Sequence, residues 1–366
     1  MNLLMISGDR SLAAGKQGAF YNTLSELHKH FDRVDVICPH VPVARYDMSV
    51  FGNVFVHPSP WPFILQPLWI WHKGRNIIRN SKLGIRDWFA TVHDYAPFYN
   101  GIGARLLHWT TGLPYLLEVM HIPGVPRASG IREWFYRRLT HMFIALDVRP
   151  ARAVRVINEH QTPNFLVAAG VPCEKILHIP AFYIDLGIFK PTEALKRYDI
   201  AFVGRMVKNK GIHIFLDVIE RTGLIGVCVG DGPLLSWARC EAKRRGLKIH
   251  FPGFAKDSAE VARYLNESRL LLMPSLNEGG PRVVLEAMAC GVPVVATPVG
   301  IVPDVLPPEC IEEWNVDDIA DKVRNILHDE SLYQRLSQQG VVTVGRFERV
   351  AAIKEYADAL KLLANS

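Results

Sequence analysis

Residues 270–298 read LLLMPSLNEGGPRVVLEAMACGVPVVATP. Leu270–Met273 has the form of a buried strand, closed by Pro274. Gly279, Gly280 and Pro281 then open a helix, with the proline near its first position, where a missing N–H is no loss. Val294–Ala296 is the next strand. The free N–H groups and positive dipole at such a helix start suit pyrophosphate or sugar oxygens, and the two glycines let a ligand approach the backbone closely. Glu278, in the turn before the helix, can accept hydrogen bonds from vicinal hydroxyls. Glu286, eight residues on and inside the helix, can do the same for a ribose, as acidic residues do in dinucleotide-binding folds.

The same alternation extends outward. Asp199–Val203, Ile225–Val229 and Ile249–Phe251 are strand runs, the first ending at Gly204 and the second at Gly230-Asp231-Gly232-Pro233. Lys210–Arg221 reads as a helix. Nearer the start, Asn2–Ser7, Val34–Cys38, Trp88–Val92, Tyr115–Val119, Ala153–Ile157 and Lys175–Ile179 are strand runs, and Ala19–Phe31 carries apolar residues at helical spacing. Repeated strand–helix alternation predicts an α/β protein with parallel sheets covered on both faces. The pattern restarts after the polar stretch Asp185–Arg197, so two Rossmann-like domains are expected, 1–190 and 191–346. Residues 331–366 are helical, and about 347–366 is expected to pack back on the first domain. Ligands of open α/β sheets bind beyond the carboxyl ends of the strands, so two such domains facing each other would enclose a cleft lined by post-strand loops.

Composition narrows the class. A chain of 366 residues, 49% apolar and 21% charged, is a soluble globular protein of about two domains, which excludes collagen, coiled coil and long disorder. The six cysteines are scattered without a C-x-x-C pair, so reduced thiols are expected rather than a zinc ribbon or disulfide scaffold. No secretory leader is visible. The apolar stretch 51–71 contains Pro58, Pro60, Pro62 and Pro67, which argues against a spanning helix. Residues 1–190 hold 20 of the 42 Lys and Arg and 13 of the 36 Asp and Glu, a net of +7 against −1 for the remainder. They also hold six of the eight tryptophans, which points to an anionic partner surface. Within them Ile131–Leu146 reads as a basic amphipathic helix. Ile131, Trp134, Phe135, Leu139, Met142 and Phe143 share one broad face, with Arg132, Arg137, Arg138 and His141 mostly elsewhere. Such a helix either lies at an anionic membrane surface or packs its apolar face on the sheet.

The run Asn277–Thr297, with seven residues between its two glutamates, resembles the signature of the retaining family-4 glycosyltransferases of the GT-B fold, the glycosyl transferases group 1. Other landmarks follow in order. Phe202–Gly211 resembles the family's G-R-x-x-x-x-K-G loop, which implies that Arg205 and Lys210, beside Gly204, hold the donor diphosphate. Two cations there would offset the charge that builds on a departing diphosphate. Gly230–Pro233 matches the family's G-D-G-P turn, and Phe251-Pro252-Gly253-Phe254 stands in the place of its F-x-G loop, which makes Phe254 a candidate at the nucleotide base or else a core aromatic. Gly15-Lys16-Gln17-Gly18 resembles its glycine loop, with Gly15 and Gly18 separated where the family usually has adjacent glycines. Gly112–Pro123 resembles a segment that ends a strand in a cleft-facing histidine, which maps onto His121. Asn158 follows the strand Val154–Ile157 where the family more often has Ser, and Ala181-Phe182-Tyr183 replaces the usual Asn-Gly turn of the linker. The likeness is close over 195–305 and loose over 1–190.

What the resemblance implies is a retaining hexosyl- or glycosyltransferase using a nucleotide-diphosphate sugar such as a UDP- or GDP-sugar. Its acceptor would be a sugar on a lipid-linked, glycolipid or polysaccharide precursor. His121, Arg205, Lys210 and Glu278 would be catalytic; Gly15, Gly18, Gly204, Phe254, Gly279, Gly280, Pro281 and Glu286 would bind the donor. No metal, cofactor or nucleic acid is expected: no D-x-D closes a strand, and Asp317-Asp318 reads as surface charge. The place implied is cytoplasmic, peripheral at the inner face of the cell membrane. A nucleotide-sugar epimerase of the same fold and a non-catalytic nucleotide-sugar-binding partner are the alternatives. A nicotinamide oxidoreductase is disfavoured by the lack of G-x-G-x-x-G after the first strand.

Overall fold

In the computed structural model the chain divides into two compact units. One comprises Met1–Ile122, Phe135–Ala181 and Val350–Ser366; the other comprises Pro123–Trp134 and Phe182–Arg349. The structure describes every residue except Gln17, 43–46, 82–83, 94–98, Phe182 and Ser366, and excepting the side chain of Ala19. Gln17 of the glycine loop and Phe182 of the linker turn therefore lie outside the described residues.

The first unit runs β1 (Asn2–Ile6), α1 (Arg10–Ala13), α2 (Ala19–Leu27), β2 (Arg33–Cys38), β3 (Met48–Val50), β4 (Val54–Pro58), α3 (Gln66–Asn80), β5 (Trp88–His93), α4 (Tyr99–Thr111), β6 (Tyr115–Val119), α5 (Ile131–Val148), β7 (Ala153–Val156), α6 (Gln161–Ala168) and β8 (Ile176–His178). Its sheet has the order β3-β4-β2-β1-β5-β6-β7-β8, parallel except for β3 against β4. Leu3 pairs with Val34 on one side and Phe89 on the other, and all three are buried, as central strands covered on both faces require. The proline-rich stretch after residue 51 supplies β4 and then α3, with Pro67 in its first turn, rather than one long helix. Among the described residues no helix is long and apolar enough to cross a membrane.

The second unit runs β9 (Tyr198–Val203), α7 (Ile212–Thr222), β10 (Gly226–Val229), α8 (Leu235–Arg244), β11 (Ile249–Gly253), α9 (Ser258–Asn266), β12 (Ser268–Met273), α10 (Arg282–Ala289), β13 (Val294–Ala296), α11 (Val302–Val305), α12 (Val316–His328) and α13 (Glu330–Val344). Its sheet, β11-β10-β9-β12-β13, is parallel throughout, and its strands share one core with α7, α10 and α12. Asp257, Asn315 and Asp329 start α9, α12 and α13 by accepting backbone N–H bonds at 2.8, 3.0 and 2.9 Å.

The last helix, α14 (Arg349–Asn365), returns to the first unit from Val350 onward. Its buried Tyr356 hydroxyl donates to Glu118 Oε1 on β6 at 2.7 Å. Arg155 on β7 donates to the same oxygen at 2.6 Å and to the carbonyls of Ile179 and Pro180 at 2.9 and 2.7 Å. A buried ion pair is tolerated when its remaining hydrogen-bonding groups are met in this way.

Helix α5 divides its side chains between core and surface. It buries Thr140, Ile144, Asp147 and Val148, whereas Phe135, Met142 and Leu146 are 54%, 66% and 44% exposed. The apolar side chains it buries are Ile144 and Val148, near its carboxyl end.

Candidate active site

Loops at the carboxyl ends of the second sheet carry most of the candidate residues. The loop after β9 holds Gly204, Arg205 and Lys210; the loop after β12 holds Glu278, Gly279, Gly280 and Pro281. The two loops are fused backbone to backbone. Leu276 N donates to Asn209 O at 2.7 Å. A Cβ on Gly211, which sits at φ +72°, would lie 2.0 Å from the Pro274 carbonyl oxygen, so only glycine fits there. This packing brings the Lys210 ammonium into an ion pair with Glu278 Oε1, which also accepts from Ser275 Oγ at 3.1 Å. Both partners are largely enclosed, which strengthens their attraction relative to a surface pair.

The β12 loop is fixed from behind. The Ser275 carbonyl accepts from Thr297 Oγ1 at 2.6 Å and from Trp314 Nε1 at 2.9 Å. Gly300, at φ +57°, lies so close that a Cβ would approach the Gly279 oxygen to 2.2 Å. Buried Asn277 donates through Nδ2 to Arg127 O at 2.9 Å and Glu133 Oε2 at 3.0 Å, in the segment 123–134 that groups with this unit. Pro281 takes the N-cap position of α10, so the free N–H groups of its first turn follow directly on the two glycines. Glu286 lies on α10, where enclosure by the surrounding chain pushes its carboxyl above the ordinary range, against a downward pull from Arg282 one turn earlier.

The loop after β10 supports the loop after β9. A Cβ on Gly230 would lie 2.0 Å from Gly204 O, and one on Gly232 would lie 2.7 Å from Met206 O. Met206 N donates to Asp231 O at 2.9 Å and Leu234 N donates to Met206 O at 3.0 Å. The G-D-G-P turn is thus the bed on which the Arg205 loop rests. Arg205 itself is exposed and joined to Glu278 by neither hydrogen bond nor ion pair. Phe254, just past β11, is 79% exposed, so it is not a core aromatic.

In the first unit Gly15 (φ +71°) closes the turn after α1, its N–H donating to Leu12 O at 2.9 Å, and Gly18 is the N-cap of α2. His121 lies two residues past the carboxyl end of β6 and is half-buried. Asn158 is fully buried and engages Thr162, its Oδ1 accepting from the backbone N–H at 2.8 Å and its Nδ2 donating to Oγ1 at 2.9 Å, which anchors the start of α6. Sequence reading did not single out Ser275, Asn277, Thr297, Gly300 or Trp314. The first four lie in or just beyond the decisive stretch, but only contact across strands gives them a role.

A model of the family described as glycosyl transferases group 1 matches residues 185–342. A protein of Methanocaldococcus jannaschii, the uncharacterized glycosyltransferase MJ1607, is 30% identical over 329 residues, 83% of this chain and 82% of its own. The sulfoquinovosyl transferase SQD2 of Arabidopsis thaliana is 25% identical over 347 residues, 86% of this chain and 64% of its own. Among solved structures, Anabaena Alr3699/HepE in complex with UDP and glucose superposes with a TM-score of 0.72 at 17% identity, covering 99% of this chain and 100% of its own. At that identity the likeness shows the fold, which is GT-B, with two Rossmann-like parallel-sheet domains.

Proposed function

The chain belongs to the group 1 glycosyl transferases, and on that premise we propose that it moves a sugar, with retention at the anomeric carbon, from a nucleotide-diphosphate sugar to a hydroxyl on a lipid-linked, glycolipid or polysaccharide-precursor acceptor. The observation that carries the reading is the enclosed Lys210–Glu278 pair beside the glycine-led start of α10. Glu278 holds the Lys210 ammonium in place, and Arg205 on the same loop supplies a second cation. As the bond from the anomeric carbon to the diphosphate oxygen breaks, the electron pair leaves with the nucleoside diphosphate, and these cations meet the growing charge. The acceptor oxygen forms its bond on the same face, and its proton passes to the departing phosphate. Protein cations do this charge work, so no metal enters the scheme. Gly279, Gly280 and Pro281 leave room for donor oxygens at the helix start, Gly204 does so on the Arg205 loop, and Glu286 takes the ribose. Gly15, Gly18 and His121 belong to the first unit, which in this reading receives the acceptor, and the exposed Phe254 is the candidate for the base.

The donor and acceptor classes draw support from a relative named a sulfoquinovosyl transferase and from a neighbour bound to UDP and glucose. The excess of +7 in residues 1–190 and the outward apolar residues of α5 support a peripheral place on an anionic membrane surface, at the cytoplasmic face. Turnover with the matched donor and a lipid-linked acceptor tests the scheme: NMR of the product should show the donor's own anomeric configuration. An inverted product, or donor conversion that proceeds equally well without acceptor, would overturn it.

A further inference from the structure

A cavity of about 740 Å³ opens in the first unit at the amino ends of β5, β6, β7 and β8. Because the sheet is parallel there, this is the end opposite Gly15, Gly18 and His121, so the cavity is no part of the site described above. Its charged lining is Arg86, Arg149, Arg152 and Lys175, with no acidic residue among the described residues that line it. Lys175 is already engaged: its ammonium donates to the carbonyls of Val148, Arg149 and Ala151 at 3.2, 2.8 and 2.8 Å, neutralising the negative end of α5. The three arginines are different. They are exposed, and no hydrogen bond or ion pair within the described residues occupies their guanidinium groups. Three guanidinium groups lining one cavity, with no acid among the described lining residues, match the oxygens of a phosphate.

A second feature runs into the same cavity. Phe135, Arg138, Met142 and Leu146 follow one another at spacings of three or four residues on one stripe of α5, and Arg149, whose N–H bonds to Ala145 O at 3.0 Å, continues it just past the helix end. Phe135, Met142 and Leu146 are exposed, and the stripe ends at Arg149, a lining residue of the cavity. An apolar stripe ending in a basic pocket fits an amphiphile with an anionic head.

Building on the peripheral membrane placement read above, we propose that this pocket and stripe form a binding site for an anionic phospholipid. The phosphate sits among Arg86, Arg149 and Arg152, and α5 lies in the interface with Phe135, Met142 and Leu146 at the acyl boundary. The site anchors the first unit and leaves the carboxyl-end loops of its sheet to the acceptor.

Vesicle flotation tests this with the full chain, on phosphatidylcholine vesicles with and without phosphatidylglycerol. Wild type should float only with the anionic lipid. The triple variant Arg86→Glu, Arg149→Glu, Arg152→Glu should bind on the order of 100-fold more weakly, from several-fold per cation. A control triple with the same charge change on the second unit, Lys243→Glu, Lys248→Glu, Lys256→Glu, should bind within a few-fold of wild type. Phe135→Ser with Met142→Ser should weaken flotation while leaving any stabilisation by inorganic phosphate intact. These are exposed positions, and unchanged melting temperatures will verify that the variants fold. If wild type does not float, the membrane placement and the lipid site fall together. If wild type floats and the arginine triple floats equally well, or is weakened no more than the control triple, the lipid site alone is overturned. Stabilisation of the melting temperature by inorganic phosphate without flotation would identify a free-phosphate site and overturn the lipid assignment.

Discussion

Lys210 and Glu278 are 68 residues apart in the chain and form one ion pair, and the reading assigns them different work. The ammonium meets charge that grows only in the transition state, whereas the carboxylate fixes where the ammonium stands. Lys210→Ala and Arg205→Ala should each lower kcat more than they raise KM. The cost expected for one lost charge-stabilising donor is about 2.7–4 kcal/mol, or on the order of 100- to 1000-fold in rate. Steady-state kinetics at saturating donor will verify this, and near-wild-type turnover in both variants would remove the assignment. Glu286 makes a pH prediction. Burial raises its carboxyl above the ordinary range, so the free protein holds that proton at a pH where an exposed glutamate has lost it. In the proposed role a ribose hydroxyl donates to the ionised form. Nucleotide binding should therefore release a proton, and affinity should fall as pH drops through the raised value. Calorimetry across the mildly acidic range should show this for wild type. Glu286→Gln should bind more weakly and lose that pH dependence.

The turn after β10 and the helix after β12 show what a local pattern can and cannot disclose. A plain tight turn is the obvious reading of Gly230-Asp231-Gly232-Pro233, yet both glycines are required because the Arg205 loop packs on their backbone. Gly230→Ala should destabilise the second unit by about 1–3 kcal/mol through overpacking and weaken donor binding as the loop shifts. Denaturant midpoints and nucleotide affinity measure the two effects. The strand run Leu270–Met273 and the glycine-proline helix start were legible because burial and capping are written in neighbouring residues. The clamp of Thr297 and Trp314 on the Ser275 carbonyl was not, since it forms only when separate loops meet. β3 and β4 were likewise hidden by a proline-rich stretch with little strand periodicity. For α5, periodicity found an apolar face but could not tell which residues would be buried; the structure buries Thr140, Ile144, Asp147 and Val148.

At the scale of the whole molecule, the division of labour follows the chain. The second unit holds the close motif match and the fused loops, whereas residues 1–190 carry the net charge of +7 and the first unit holds the exposed apolar residues of α5. The terminal helix α14 ties the chain end into the first sheet through Tyr356 and the Glu118–Arg155 pair. The central claim is that the second unit receives a nucleotide-diphosphate sugar at Lys210, Glu278 and Glu286. Thermal melting of wild type, Lys210→Ala and Glu286→Gln with UDP, GDP, ADP and their sugars tests it most directly. A ligand that binds only the folded state stabilises it by about 2.7 kcal/mol at a hundredfold excess over Kd. One nucleotide and its sugar should raise the melting temperature of wild type clearly above the rest, with the gain reduced in both variants; no shift with any of them, or the same shift in all three proteins, would contradict the account.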